Sequence, residues 1–136
     1  MKYTGIWIDK DKAHIVKIND NGNESFTTLE SNLEHFKAKG GTGQRFKSGP
    51  QDVIKDSKYL EREKHQLKQY FKNIAEEIKD TDALVIFGPA GTNQKFRKEL
   101  SQSFSMLDTK VKGVEKADSM TDNQVKAWVR EYFELN

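Results

Sequence analysis

Between His35 and Gln51 the chain reads His-Phe-Lys-Ala-Lys-Gly-Gly-Thr-Gly-Gln-Arg-Phe-Lys-Ser-Gly-Pro-Gln. Four of the nine glycines fall in this stretch, Gly40, Gly41, Gly43 and Gly49, alongside Lys37, Lys39, Arg45 and Lys47 and no acidic residue. Its few apolar residues follow neither a helical nor a strand period. So many glycines make regular structure costly and positive φ cheap, so the stretch reads as a loop. Loops of this length inside a compact domain are uncommon and are usually functional or disordered. Lysine and arginine neutralise a phosphate backbone, and bare glycine amides approach it closely, so the chemistry that suits this loop is nucleic-acid binding. A solvated surface connection without a ligand is the alternative reading.

Other chemistry-bearing residues are scattered. Asp9 follows an apolar run; a metal-dependent nuclease needs several converging acids, and a turn-initiating aspartate is the simpler reading. His14 and His35 have no second histidine or carboxylate at metal-ligand spacing and read as structural or solvent-facing. The absence of cysteine excludes disulfides, thiolate metal sites and cysteine nucleophiles. Gly88-Pro89-Ala90-Gly91 stands between an apolar run and a helical pattern, an arrangement that can bind an anion. It matches neither a phosphate-binding P-loop nor a dinucleotide fingerprint, and close strand-to-helix packing explains its glycines equally well.

The elements that must position these residues follow from periodicity. Tyr3 to Ile8, Ala13 to Ile18 and Glu24 to Leu29 read as three strands of an antiparallel meander. Asp9 to Lys12 makes the first turn. Asn19 to Asn23 makes the second, with Asn-Gly tolerating positive φ at both central positions. A helix follows the loop, clearest from Ser57 to Lys79 with a start as early as Gln51. Leu60, Leu67, Phe71, Ile74, Ala75 and Ile78 form its apolar stripe, joined by Tyr59 and Tyr70. Lys58, Glu61, Arg62, Lys64, Lys68 and Lys72 lie on its other face, a solvated charge run or a continuation of the basic loop. Ala83 to Phe87 is a continuous apolar run, as in a strand buried on both faces. Thr92 reads as an N-cap to a helix that buries Phe96, Leu100 and Phe104. Thr109 to Lys116, with alternating lysines, reads as a strand near a sheet edge. Thr121 or Asp122 caps a last helix that packs Val125, Trp128, Val129, Tyr132 and Phe133 inward.

The order predicts an α/β fold: a mixed sheet with an antiparallel N-terminal meander and a later βαβ unit that is parallel, with helices packed on the sheet. A length of 136 residues suits one domain over 1–136, and the net charge of +2 is only mildly basic. The start lacks the apolar run of a signal peptide, and no stretch approaches the roughly 20 apolar residues of a membrane span. A cytoplasmic protein without membrane contact is the expectation, with oligomeric state left open.

The loop, the long helix and the Phe-Gly-Pro turn together resemble the central domain of the class I release factors of eukaryotes and archaea, and more closely its small stand-alone bacterial relatives. Pelota-type ribosome rescue factors belong to the same group. Gly40-Gly41-Thr42-Gly43-Gln44-Arg45-Phe46 occupies the place of the family's Gly-Gly-Gln loop. Phe87 to Phe96 looks like its strand-Gly-Pro-helix segment, and Ala117 to Gln124 like the bacterial entry to the last helix. Thr42 departs from the pattern by placing a Cβ where the release factor has glycine; the looser Gly-x-x-Gln form, Gly41 to Gln44, is matched. The resemblance implies a ribonuclease H-like class of fold and needs no cofactor or metal. It implies the ribosome and tRNA as partners, and an activity that promotes peptidyl-tRNA hydrolysis in release or rescue. Gln44 and Gly43 would then act at the reacting ester, with Gly40, Gly41 and Thr42 shaping the loop. Lys37, Lys39, Arg45, Lys47, Lys58 and Arg62 would hold RNA. A non-catalytic RNA- or ribosome-binding module and a tRNA-directed nuclease are the competing readings.

Overall fold

The computed structural model describes residues 1–31, 49–89 and 91–135, and the side chains of the helix that starts at Gly49 from Glu61 onward. Strands β1 (Lys2–Ile8), β2 (Lys12–Asn19) and β3 (Glu24–Glu30) precede a long helix, α1 (Gly49–Glu77). Strand β4 (Ala83–Gly88), helix α2 (Thr92–Ser103) and the short α3 (Ser105–Asp108) come next, then β5 (Val111–Lys116) and α4 (Asp122–Tyr132). Among the described residues, five strands form one sheet in the order β3-β2-β1-β4-β5. The meander β1-β2-β3 is antiparallel, and β4 joins β1, and β5 joins β4, in parallel. The expected mixed sheet and parallel second half are therefore present, with β5 at one edge.

Helices cover both faces, so the sheet sits between two cores. On one face Ile6, Ile8, Ala13, Ile15, Leu84 and Ile86 meet Tyr70, Phe71, Ile74, Ala75 and Ile78, with Phe96 and Leu100 of α2. On the other, Trp7, Val16, Ile18, Val85 and Phe87 meet Val125 and Val129 of α4. The period-2 alternation of strand side chains sorts neighbours in β1 and β4 to opposite faces. Both faces are covered, so β4 is buried along its whole length and β1 from Thr4 onward.

Gly5 sets how closely α4 approaches. A Cβ there would stand 2.3 Å from Val129 Cγ2, so the missing side chain lets the helix seat against β1. Gly88 ends β4 at φ 138, where an added Cβ would lie 2.5 Å from the Ile8 carbonyl oxygen. Both positions exclude a side chain, one by packing and one also by backbone conformation.

The turns follow their side-chain chemistry. Asp9 Oδ1 accepts from the amides of Asp11 and Lys12, both at 2.8 Å, confirming the turn role of this carboxylate. The second turn lies where the sequence placed it, with Gly22 at φ 87 and Asn21 outside the positive-φ region. Asn19 Oδ1 accepts from the amides of Asn21 and Asn23 at 3.0 Å, and Gly22 N donates to the Asn19 carbonyl at 2.9 Å. One left-handed glycine closes this turn, and the Asn19 side chain holds the amides on either side of it.

Three boundaries also move. Helix α1 begins at Gly49, ahead of the expected start. The N-cap of α2 is Gly91 at φ 108, not Thr92, which is the first helical residue and is buried. Strand β5 begins at Val111 rather than Thr109, because the amides of Thr109 and Lys110 close the turn of α3 onto Ser105 and Leu107. Of the two expected caps of α4, Thr121 rather than Asp122 is the N-cap, and it forms a full capping box with Gln124.

Candidate functional site

Helix α1 follows the basic stretch in the chain, and its described part is anchored mainly toward its C-terminal end. Its 29 residues span about 43 Å at about 1.5 Å per residue, and among its described side chains, from Glu61 onward, the buried ones begin at Tyr70. Leu67 is half-buried against the core, while Glu61 to Gln66 include no buried side chain. The C-terminal part is fastened to the sheet by more than apolar contact. The Tyr70 hydroxyl donates to the Asp9 carbonyl at 3.1 Å, and its burial pushes the phenol pKa up, so it stays a donor at any physiological pH. Lys17 Nζ donates to the Glu77 carbonyl at 2.5 Å, a cation on the carbonyl-rich end of the helix where the dipole favours it. Lys17 also pairs with the Glu77 carboxylate at 3.5 Å, and Lys10 lies 3.8 Å from Glu63.

The exposed face of α1 carries Arg62, Lys64, Lys68 and Lys72. Lys64, Lys68 and Lys72 recur every fourth residue, so they stack along one line of the helix. Like charges at that spacing disfavour an isolated helix. A row of this kind is suited to an external polyanion whose phosphates it would neutralise.

The predicted site residues divide accordingly. Arg62 stands exposed on α1. Lys58 lies on the same helix one turn earlier, with its side chain outside the described residues. Lys37, Lys39, Gly40, Gly41, Thr42, Gly43, Gln44, Arg45, Lys47 and His35 lie outside the described residues.

His14 is a core residue of the opposite face. It is buried between Trp7 and Phe26, with ring centroids 5.5 and 5.3 Å away, and its Nδ1 is 2.9 Å from Thr28 Oγ1. Desolvation lowers its pKa below the ordinary histidine value. Among the described residues no group of three or more histidine, cysteine or acidic side chains is placed to hold a metal.

The Gly-Pro turn has a structural role, the alternative its sequence offered, and it rests on Asn93, a residue the sequence did not single out. Asn93, buried at 2% exposure, donates from Nδ2 to the Glu115 carbonyl at 3.1 Å and to the Gly88 carbonyl at 3.4 Å. Its Oδ1 accepts from the Gln94 amide at 2.8 Å. One side chain thus ties the ends of β4 and β5 to the start of α2, and buried carbonyls are satisfied there without a ligand. The sequence carries no signal of this role, since Glu115 lies 22 residues on from Asn93 and reaches it only in the fold.

No family model matches the chain, and no curated protein matches it in sequence. Solved structures do match in fold. The Pelota protein of Thermoplasma acidophilum superposes with a TM-score of 0.55 at 19% identity, over 95% of this chain and 32% of that one. The archaeal translation termination factor aRF1 gives 0.55 at 9% identity, over 98% of this chain and 39% of that one. Pelota of Archaeoglobus fulgidus gives 0.53 at 11% identity, over 98% and 35%. The chain therefore spans 32–39% of the length of these proteins. At these identities the likeness is one of fold: nearly the whole chain adopts an architecture found within Pelota and an archaeal termination factor.

Proposed function

We propose that this chain is a ribosome-associated translation factor domain whose basic loop promotes hydrolysis of peptidyl-tRNA. The observation that carries the reading is the fold likeness to Pelota and aRF1 over 95–98% of the chain. It is supported by the place of the glycine-rich basic stretch in the chain, between β3 and the long helix α1 that carries the lysine row. In this reading Lys37, Lys39, Arg45, Lys47, Lys58 and Arg62 hold rRNA and tRNA phosphates. Gln44 and Gly43 sit at the ester bond joining peptide to tRNA. A glutamine side chain is too weak a base to take a proton at neutral pH. Its contribution is to position water and to aim a backbone N–H at the developing oxyanion. Gly40, Gly41 and Thr42 set the loop path, and the remaining catalytic groups belong to the ribosome. Thr42, where the Gly-Gly-Gln pattern has glycine, favours one competing reading: a module that binds ribosomes without hydrolysis.

The test is peptide release from stalled ribosome complexes, with sedimentation of the protein with ribosomes in parallel. Gln44→Ala should keep binding and lose release, and Thr42→Gly should release faster than wild type by removing the extra Cβ. Binding without release in all three proteins would establish the binding-only reading. Release by Gln44→Ala at the wild-type rate would remove the loop from the mechanism. A cleaved tRNA acceptor end among the products would replace hydrolase with nuclease.

A further inference from the structure

We propose that the groove between the β5–α4 connection and the outer side of α4 docks a lysine- or arginine-containing peptide segment of a partner protein. The groove measures about 540 Å³ and is open to solvent. Ala117, Met120, Ala127 and Trp128 form its apolar surface, and the exposed carboxylates of Asp118 and Glu131 stand at its rim. No cationic side chain lines it among the described residues.

Three features of this surface match three parts of a basic peptide. The apolar floor suits the aliphatic stem of lysine or arginine, which buries readily while its head stays polar. The two carboxylates suit the cationic head and repel nucleic-acid phosphate. Trp128 supplies a donor for a peptide carbonyl, because its Nε1 makes no hydrogen bond to any described residue. The other tryptophan is already committed: Trp7 Nε1 donates to the Asp118 carbonyl at 3.0 Å. That bond also holds the connection in place, as do the Ala117 amide on the Gly88 carbonyl at 2.8 Å and the Thr121 capping box. Trp128 stacks on the buried Phe87 ring, with centroids 3.8 Å apart and planes 10° from parallel, so its position is fixed from below. The groove is therefore formed before anything binds, which lowers the entropic cost of docking.

Helix α4 and α1 lie on opposite faces of the sheet. The acidic aromatic groove and the lysine row of α1 are thus separate surfaces, and the proposal does not depend on the translation-factor reading.

The indole N–H resonances report directly, since the chain has two tryptophans: Trp128 lines the groove, and Trp7, at 2% exposure, reads the groove's edge through its bond to the Asp118 carbonyl. The probe is a capped arginine–glycine repeat peptide, compared with its glutamate–glycine counterpart. The Trp128 signal should shift saturably with the arginine peptide and not with the glutamate peptide. Asp118→Asn with Glu131→Gln, both at exposed positions that leave the fold intact, should weaken binding by about tenfold at low salt. An unmoved Trp128, equal shifts with the two peptides, or wild-type affinity in the double variant would overturn the proposal. So would a shift produced by single-stranded RNA, or by raising the concentration of the protein alone, which would assign the groove to nucleic acid or to a second copy.

Discussion

Gly5→Ala tests how α4 is seated on the sheet. The new Cβ would lie 2.3 Å from Val129 Cγ2 and 2.9 Å from Cγ1, against an optimal carbon separation of about 3.5–4.0 Å. The helix must retreat by about 1 Å or Val129 must leave its rotamer, in a core shared with Trp7, Val16, Val85 and Phe87. Overpacking of this kind costs about 1–3 kcal/mol, and the lower chain entropy of alanine returns about 0.5–1 kcal/mol. A net loss of about 1–2 kcal/mol is expected. With an unfolding entropy of about 2.1 cal/mol/K per residue over 136 residues, Tm should fall by about 3–7 °C. Val129→Ala costs stability by itself, yet it removes both methyl groups and leaves only the Val129 Cβ at 3.1 Å, a contact that a small adjustment relieves. Gly5→Ala should therefore be neutral or slightly stabilising in the Val129→Ala background. Urea denaturation of the four proteins gives the coupling energy, expected at about 1–3 kcal/mol in favour of the double variant. A coupling within about 0.5 kcal/mol of zero would refute the close seating of α4 on β1.

Burial holds the His14 pKa below its ordinary value of 6.5, so the unfolded chain takes up the proton first. Its contribution is fully present above that value and is lost as pH falls toward the folded pKa; stability should decline on acidification, and His14→Gln should flatten that slope in urea titrations at stepped pH. Glu24 accepts from Arg130 Nε at 2.9 Å and from Arg130 Nη2, joining α4 to the start of β3 in a partly buried pair. Glu24→Gln should cost about 1–2 kcal/mol, with a smaller loss in 1 M salt, as read by denaturant midpoints. Replacing Lys64, Lys68 and Lys72 together by glutamine should leave Tm unchanged or higher and reduce the slope of log K against log salt for ribosome binding by about 2–3; an unchanged slope would place the RNA contact elsewhere.

The sequence by itself determined the order and kind of nearly every element, because local periodicity reports which face of a strand or helix meets a core. The unbroken apolar run from Ala83 to Phe87 announced a strand covered on both sides, and Thr121 or Asp122 marked the start of α4. Asp9 declared its turn, since its partners are the amides two and three residues on. What depended on residues far apart in the chain stayed hidden until the fold brought them together. Gly5 reads as an indifferent strand glycine until Val129 is set against it, and Asn93 as a surface residue until it meets the carbonyls of Gly88 and Glu115. Trp128 reads as core, yet packing on Phe87 leaves it lining a groove beside Asp118 and Glu131. The tertiary structure decided these roles because steric exclusion, hydrogen-bond satisfaction and charge proximity act through space, across separations of up to 124 residues between Gly5 and Val129 (129 − 5).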